Sequence, residues 1–288
     1  MKHLVTGATG NVGARVVDGL IARGVRPSVF VRDEAKAKAR FGARVDVLVG
    51  DLGDARSLAR AFEGIDSLFC LNDGPELADR DALAIGVAKS TRVKHVVKLS
   101  SMDVRSDRAS QSVGGWHARG EDAIRASGVA WTFVQPVGFM SNALAWAPSI
   151  RAQSVVRAPT GDGVIAMIHP SDIADVCVEA LVSRRFEGES LAITGPALLS
   201  YADMARAIGE AIGKHVTYEA ITDDAARARL LANGMEPVLA DKLVALWRSV
   251  REGKHAIVTN EVERVTGHAP RSFASWCAEN ASAFQLPT

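Results

Sequence analysis

Along the first half of the chain, short unbroken apolar runs alternate with segments whose apolar residues return every three or four positions. Residues 2–6 form the first run. Within 12–23, Val12, Val16 and Leu20 share a stripe with Val17 and Ile21, and Gly24 supplies a helix stop. The same rhythm predicts strands at 28–31, 45–49, 67–71, 95–99 and 131–134, and helices over 34–41, 55–62, 80–91 and 114–127. No strand alternates strictly between apolar and polar. Each is therefore expected to be buried on both faces, as in a parallel sheet covered by helices. The fold class this implies is α/β, a doubly wound parallel sheet.

The pattern loosens after Pro136. Residues 137–163 hold no clear period. A strand is predicted at 164–168, a helix at 171–182 capped by Ser171, and a strand at 190–194. Helices at 201–212, 223–233 and 236–252 follow. No repeat or low-complexity linker interrupts the chain. The expected organisation is a main α/β domain of 1–136 plus about 164–194, and a smaller, mostly helical lobe of about 137–163 plus 195–288.

Composition narrows the function classes. Among 288 residues, 34 Lys and Arg balance 33 Asp and Glu, which argues against a nucleic-acid binder working by bulk charge. No window reaches the roughly 18 apolar residues of a membrane span, and Met1-Lys2-His3 runs straight into a strand without a signal-like region. Cys70, Cys177 and Cys277 are odd in number and widely spaced, which fits buried thiols in a reducing compartment better than disulfides or a metal site. A cytoplasmic protein without a metal is expected, acting on a small molecule, with monomer and homodimer both open.

The chemistry starts at Thr6-Gly7-Ala8-Thr9-Gly10-Asn11-Val12-Gly13, between the first strand and the first helix. Gly7 permits a tight turn, Gly10 clears the approach of a pyrophosphate to the backbone, and Gly13 lets helix and strand pack closely. The helix N-terminus then offers N–H groups to phosphate. This context makes the sheet Rossmann-like and points to a dinucleotide held by Gly7, Thr9, Gly10, Asn11 and Val12. No Gly-Lys-Ser/Thr follows, so the loop is not a Walker loop. After the second strand, Arg32 stands where a ribose contact is expected and Lys36 lies one helical turn on, which favours NADP(H) over NAD(H). A one-residue slip would put Asp33 there and favour NAD(H). Asp51 and Leu52 end the third strand near the expected adenine, and Asn72 and Asp73 end the fourth near the cofactor's middle. A helix cap and an ordinary turn are the plain alternatives for these two pairs.

The spacing Gly7-x-x-Gly10-x-x-Gly13 resembles the extended and atypical short-chain dehydrogenase/reductases. Glu121 to Ala126-Ser127-Gly128, then a strand ending at Pro136, resembles the NmrA-like atypical members, with agreement at His169-Pro170-Ser171-Asp172 and Ile193-Thr194-Gly195-Pro196. The pattern His117-x-x-x-Glu121 is similar to the NADPH-dependent quinone reductases and triphenylmethane-dye reductases among them. Ordinary members of the superfamily use a Tyr-x-x-x-Lys pair. Here the only tyrosines, Tyr201 and Tyr218, have no lysine four residues on. The resemblance puts His117 at the lysine position and Val113 at the tyrosine position. It implies that His117, Ser100 and Pro136 border the nicotinamide half of the cofactor.

His117 and Glu121 lie one turn apart on one helix face, so the carboxylate is expected to orient the imidazole and raise its pKa, with a plain surface pair as the alternative. Trp116, Phe139, Met140 and Trp146 are candidates to line an acceptor site, with core packing as the alternative. A missing phenol suits hydride transfer to a planar conjugated acceptor (quinone, dye or enone), which needs little acid help. A cofactor-sensing regulator of the NmrA type is the competing reading. A sugar-nucleotide epimerase is disfavoured by the absent tyrosine.

Overall fold

The computed structural model describes residues 1–108 and 112–286. In chain order its elements are β1 (His3–Thr6), α1 (Asn11–Ala22), β2 (Ser28–Val31), α2 (Glu34–Phe41), β3 (Asp46–Val49), α3 (Ala55–Phe62), β4 (Ser67–Cys70), α4 (Leu77–Ser90), β5 (His95–Leu99), α5 (Val113–Ser127) and β6 (Ala130–Pro136). There follow α6 (Ala147–Gln153), β7 (Val155–Ala158), β8 (Val164–Ile165), α7 (Pro170–Val182), β9 (Ser190–Ile193), β10 (Leu199–Ser200), α8 (Tyr201–Ile212) and β11 (Thr217–Ala220). The last helices are α9 (Asp223–Ala232), α10 (Pro237–Arg251), α11 (Glu261–Thr266) and α12 (Phe273–Glu279).

Seven strands form one sheet in the order β3-β2-β1-β4-β5-β6-β9, every pairing parallel. The apolar runs explain it. All four residues of β1 and β4 and all five of β5 are buried, which only helices on both faces can achieve. One side of the core joins Leu4, Leu68, Val96 and Phe133 of the sheet to Leu58, Phe62, Ile85 and Ile124 of the helices. The chain winds outward from β1 to β3, then reverses from β4 onward. That reversal opens a crevice beyond the carboxyl ends of β1 and β4, where open α/β sheets bind ligands.

The chain divides into two compact units. The first comprises Met1–Pro136, Pro170–Ile193 and Glu261–Gly267; the second comprises Val137–His169, Thr194–Asn260 and His268–Thr288. The predicted strand at 164–168 shrinks to Val164–Ile165. It pairs antiparallel with Leu199–Ser200 inside the second unit, so the return to the large sheet starts only at α7. Ser171 does not cap that helix, because Pro170 already opens it with a φ suited to the first turn. The fourth helix begins at Leu77, earlier than expected, anchored by the buried Leu77 side chain. The sequence pattern missed the short β10 and also β7 and β11, which pair with each other in the second unit, where β11 is largely exposed and lacks a strong apolar signal.

Candidate active site

The turn between β1 and α1 is built by close approach. Gly7 sits at φ +63°, a left-handed conformation that glycine adopts without strain. A Cβ on Gly13 would lie 2.1 Å from the Gly7 carbonyl oxygen, so only glycine lets α1 rest on the loop. The Gly10 N–H closes the turn onto Gly7 O at 2.9 Å. A Cβ on Gly10 would meet nothing but that oxygen within 4 Å and would stand in the space beside the loop. Gly10 caps α1 without a side-chain hydrogen bond, which leaves the helix's positive end open to an anion. Thr6 Oγ1 accepts the Leu71 N–H at 2.8 Å, locking the end of β1 to that of β4.

A crevice of about 420 Å³ runs along these ends. Of the residues expected to hold a dinucleotide, Gly7, Thr9, Gly10, Arg32, Lys36, Asp51, Leu52, Asn72 and Asp73 line it. Asn11, Val12, Ser100, His117 and Pro136 do not. The Asn11 side-chain oxygen accepts from Arg15, and the Val12 side chain packs into the core, leaving main-chain groups for a phosphate. Phe30, Leu71 and Arg80 also line the crevice and were not anticipated. Arg32 and Lys36 are exposed, and their charged ends have no partner among the described residues. Asp33, by contrast, spends its carboxylate as the cap of α2, accepting the Lys36 N–H at 2.9 Å. Asp51 accepts the Gly53 N–H at 2.7 Å, and Asp54, not Asp51, caps α3. A glycine cradle, an open helix N-terminus and two unpaired cations at a strand end fit a phosphorylated dinucleotide.

Beneath the β4–β6 side of the sheet edge lie two buried polar clusters. Asp81 of α4 is fully buried, with one oxygen 2.5 Å from the ammonium of Lys98, itself fully buried in β5. Its other oxygen accepts from Asn72 Nδ2 at 2.6 Å and from the Cys70 thiol at 3.3 Å. Burial, followed by the Asp81 charge, drives the Cys70 thiol well above the ordinary thiol range. Glu121 of α5 accepts from Ser100 Oγ at 2.6 Å, Gln135 Nε2 at 2.8 Å and Arg125 Nη2 at 2.9 Å. Asp81, Lys98 and Gln135 were missed by sequence reasoning.

This arrangement corrects the expected His117–Glu121 dyad. Glu121 turns to Ser100, Gln135 and Arg125, not to the imidazole, and His117 Nδ1 is buried with no hydrogen-bond partner among the described residues. Its pKa moves down, not up: burial disfavours the imidazolium, and the nearby positive Lys98 adds to the effect. Both effects favour the neutral form of the His117 ring.

Of the four proposed acceptor-lining residues, Trp116 lies buried in α5 of the first unit, and the other three belong to the second. There Met140 is buried, and Trp146 packs against the Tyr201 ring at 5.1 Å between centroids. Phe139 is half-buried and bridges Ile168 through its main chain. Both phenols are committed. Tyr218 donates to Ala158 O at 2.9 Å. Tyr201 is buried, which pushes its pKa upward, and its oxygen is hydrogen-bonded by Trp247. His169 is buried and meets the Glu279 carboxylate at 3.2 Å within the second unit, as a structural residue would.

Comparison with known proteins bears on the family and the fold. A family model described as NAD(P)H-binding matches residues 7–184. A (4-alkanoyl-5-oxo-2,5-dihydrofuran-3-yl)methyl phosphate reductase of Streptomyces griseus is 38% identical over 281 residues, covering 98% of each chain. An NAD(P)H azoreductase of Xenophilus azovorans is 36% identical over 282 residues, again covering 98% of each. Among solved structures, the NADPH-dependent quinone oxidoreductase of Escherichia coli in complex with NADPH superposes with a TM-score of 0.88 at 24% identity, covering 97% of this chain and 99% of that one. The Citrobacter sp. triphenylmethane reductase in complex with NADP(H) gives 0.85 at 19% identity, covering 98% and 100%. With its glycine turn, its parallel sheet and these relatives, the chain belongs to the NAD(P)H-binding family.

Proposed function

We propose that this protein is an NADPH-dependent oxidoreductase that passes hydride to a planar, conjugated, electrophilic small molecule. The observation that carries the reading is a dinucleotide crevice with unpaired cations at its rim in a chain whose two phenols are both engaged elsewhere. The loop from Gly7 to Val12 would take the pyrophosphate on main-chain N–H groups, and Arg32 with Lys36 would take the 2′-phosphate. Leu52 offers an apolar surface to the adenine, and the Asp51 carboxylate an acceptor to its amino group. The reduced nicotinamide, when bound, supplies the hydride.

The chain's own contribution is to position and to exclude water. A simple ketone would become a strongly basic alkoxide and would need a placed acid. His117, held neutral, does not supply one. A quinone, azo or dye-like acceptor spreads the incoming charge, so alignment against the ring supplies most of the acceleration. The relatives named for azo and quinone substrates support this class of acceptor. Among the described residues no helix is long and apolar enough to cross a membrane, and the three cysteines are buried free thiols, which suits a cytoplasmic location.

The test is steady-state oxidation of NADPH and NADH with quinones, azo and triphenylmethane dyes, enones and simple ketones. Conjugated acceptors should turn over, and NADPH should outperform NADH. Preference for simple ketones, or tight NADPH binding with no turnover on any acceptor, would overturn the reading. The second outcome would favour a cofactor-sensing regulator.

A further inference from the structure

Three polar side chains stand level across the carboxyl ends of β4, β5 and β6. Cys70 pairs with Lys98 and Leu99 with Val134, so the register carries Asn72 beside Ser100 and Ser100 beside Gln135. All three are more than nine-tenths buried. Each gives a hydrogen to a carboxylate reaching up from a helix: Asn72 Nδ2 to Asp81 at 2.6 Å, Ser100 Oγ to Glu121 at 2.6 Å, and Gln135 Nε2 to Glu121 at 2.8 Å. Lys98 pairs with Asp81 and Arg125 with Glu121, and a carboxylate facing a cation only accepts hydrogen bonds.

An acceptor-only partner dictates what its neighbour shows on the other side. The Asn72 amide must turn its NH2 toward Asp81, and its Oδ1 is left without a partner among the described residues. Ser100 must turn its proton toward Glu121, leaving its lone pairs. Gln135 Oε1 is already taken by Arg105 at 3.0 Å. Asn72 is itself part of the crevice wall, and Ser100, which does not line that wall, stands next to Asn72 by strand register.

We propose that Asp81 and Glu121 are positioning residues that polarise this row, so that Asn72 and Ser100 meet a bound dinucleotide as hydrogen-bond acceptors. The groups they suit are donors: ribose hydroxyls and the carboxamide NH2. The same polarisation ties up the Ser100 proton, so that hydroxyl does not act as an acid toward a substrate carbonyl. The inference rests on the dinucleotide reading above.

Glu121 is the better residue to test, because Arg125 is partly exposed and also pairs with Asp122, whereas loss of Asp81 would strand the fully buried Lys98. Glu121→Gln keeps the shape but introduces an NH2, which frees Ser100 to turn its proton outward. NADPH dissociation constants would be measured by calorimetry on the wild type, Ser100→Ala, Glu121→Gln and the double variant, with thermal melting of each. Ser100→Ala and Glu121→Gln should each weaken NADPH roughly tenfold. The double variant should bind no worse than Ser100→Ala, because Glu121 acts through Ser100. Ser100→Ala, a small change expected to fold, decides the matter if Glu121→Gln does not. Unchanged binding in either folded variant, or losses that add, would overturn the proposal while leaving the cofactor assignment intact. A wild type that binds no NADPH would instead remove the dinucleotide reading itself.

Discussion

The two sides of the crevice handle charge in opposite ways. On the β1–β3 side the cations Arg32 and Lys36 are exposed and unpaired among the described residues, and the helix end beside them is open. On the β4–β6 side the charges Asp81, Lys98 and Glu121 are fully buried and paired. An exposed, unpaired cation costs little to keep and recognises a ligand by its charge. A buried pair repays its desolvation only when its geometry is good, and it then fixes the orientation of neighbouring polar groups. On the function proposed above, one side would select by phosphate and the other by hydrogen-bond polarity.

The comparison breaks hardest at Lys98. Lys98→Met leaves Asp81 buried without its counter-charge and should cost about 3 kcal/mol or more in urea unfolding, while the double change Lys98→Met with Asp81→Leu should restore most of it. An intact Lys98→Met protein of wild-type stability would mean that the pair is not buried as described.

Acid tests the buried imidazoles of the same unit. Burial lowers His95 from 6.5 to about 4, and it also lowers His3 and His117. Between those values the unfolded chain binds more protons than the folded one. The stability they contribute is therefore complete above pH 6.5 and is lost as pH falls toward 4, by on the order of 3 kcal/mol for His95 alone. Denaturation followed from pH 7 to pH 4 should show that slope, and His95→Gln should reduce it.

The β1–β3 side should respond in affinity, not in stability. Arg32→Ala should raise KM for NADPH by roughly thirtyfold, about 2 kcal/mol, with KM for NADH changed little. Equal losses for both coenzymes would remove Arg32 from the 2′-phosphate. The smallest effect is expected in the pH dependence of kcat with a quinone. With His117 neutral throughout, the profile from pH 6.5 to 8 should be flat, and an inflection that His117→Asn abolishes would restore the imidazole as an acid.

How far the sequence reached follows the same division. The glycine turn and the place of Arg32 and Lys36 along the crevice were legible because they are local: loop, strand end and first helical turn are contiguous in the chain. The inner strands of the large sheet were legible because burial on both faces leaves unbroken apolar runs, whereas the edge strand β3, expected to be buried as well, is largely exposed. The Asp81–Lys98 pair was not, since it joins a helix to a strand seventeen positions away, and its partners were concealed in apolar surroundings. The one available signal was Lys98 itself, a charge inside the run His95-Val96-Val97-Lys98-Leu99. His117 and Glu121 misled for the opposite reason. Helical spacing brings two residues to one face, but tertiary partners decided where the carboxylate turned.

The most direct test of the account is a crystal structure of the protein with NADP⁺ bound. It should place the 2′-phosphate on Arg32, and Asn72 Oδ1 and Ser100 Oγ within hydrogen-bond distance of ribose or carboxamide donors, with no phenol near the nicotinamide ring. A ribose lying against Asp33 with Arg32 turned away, or an Asn72 amide presenting its NH2 to the cofactor, would contradict it.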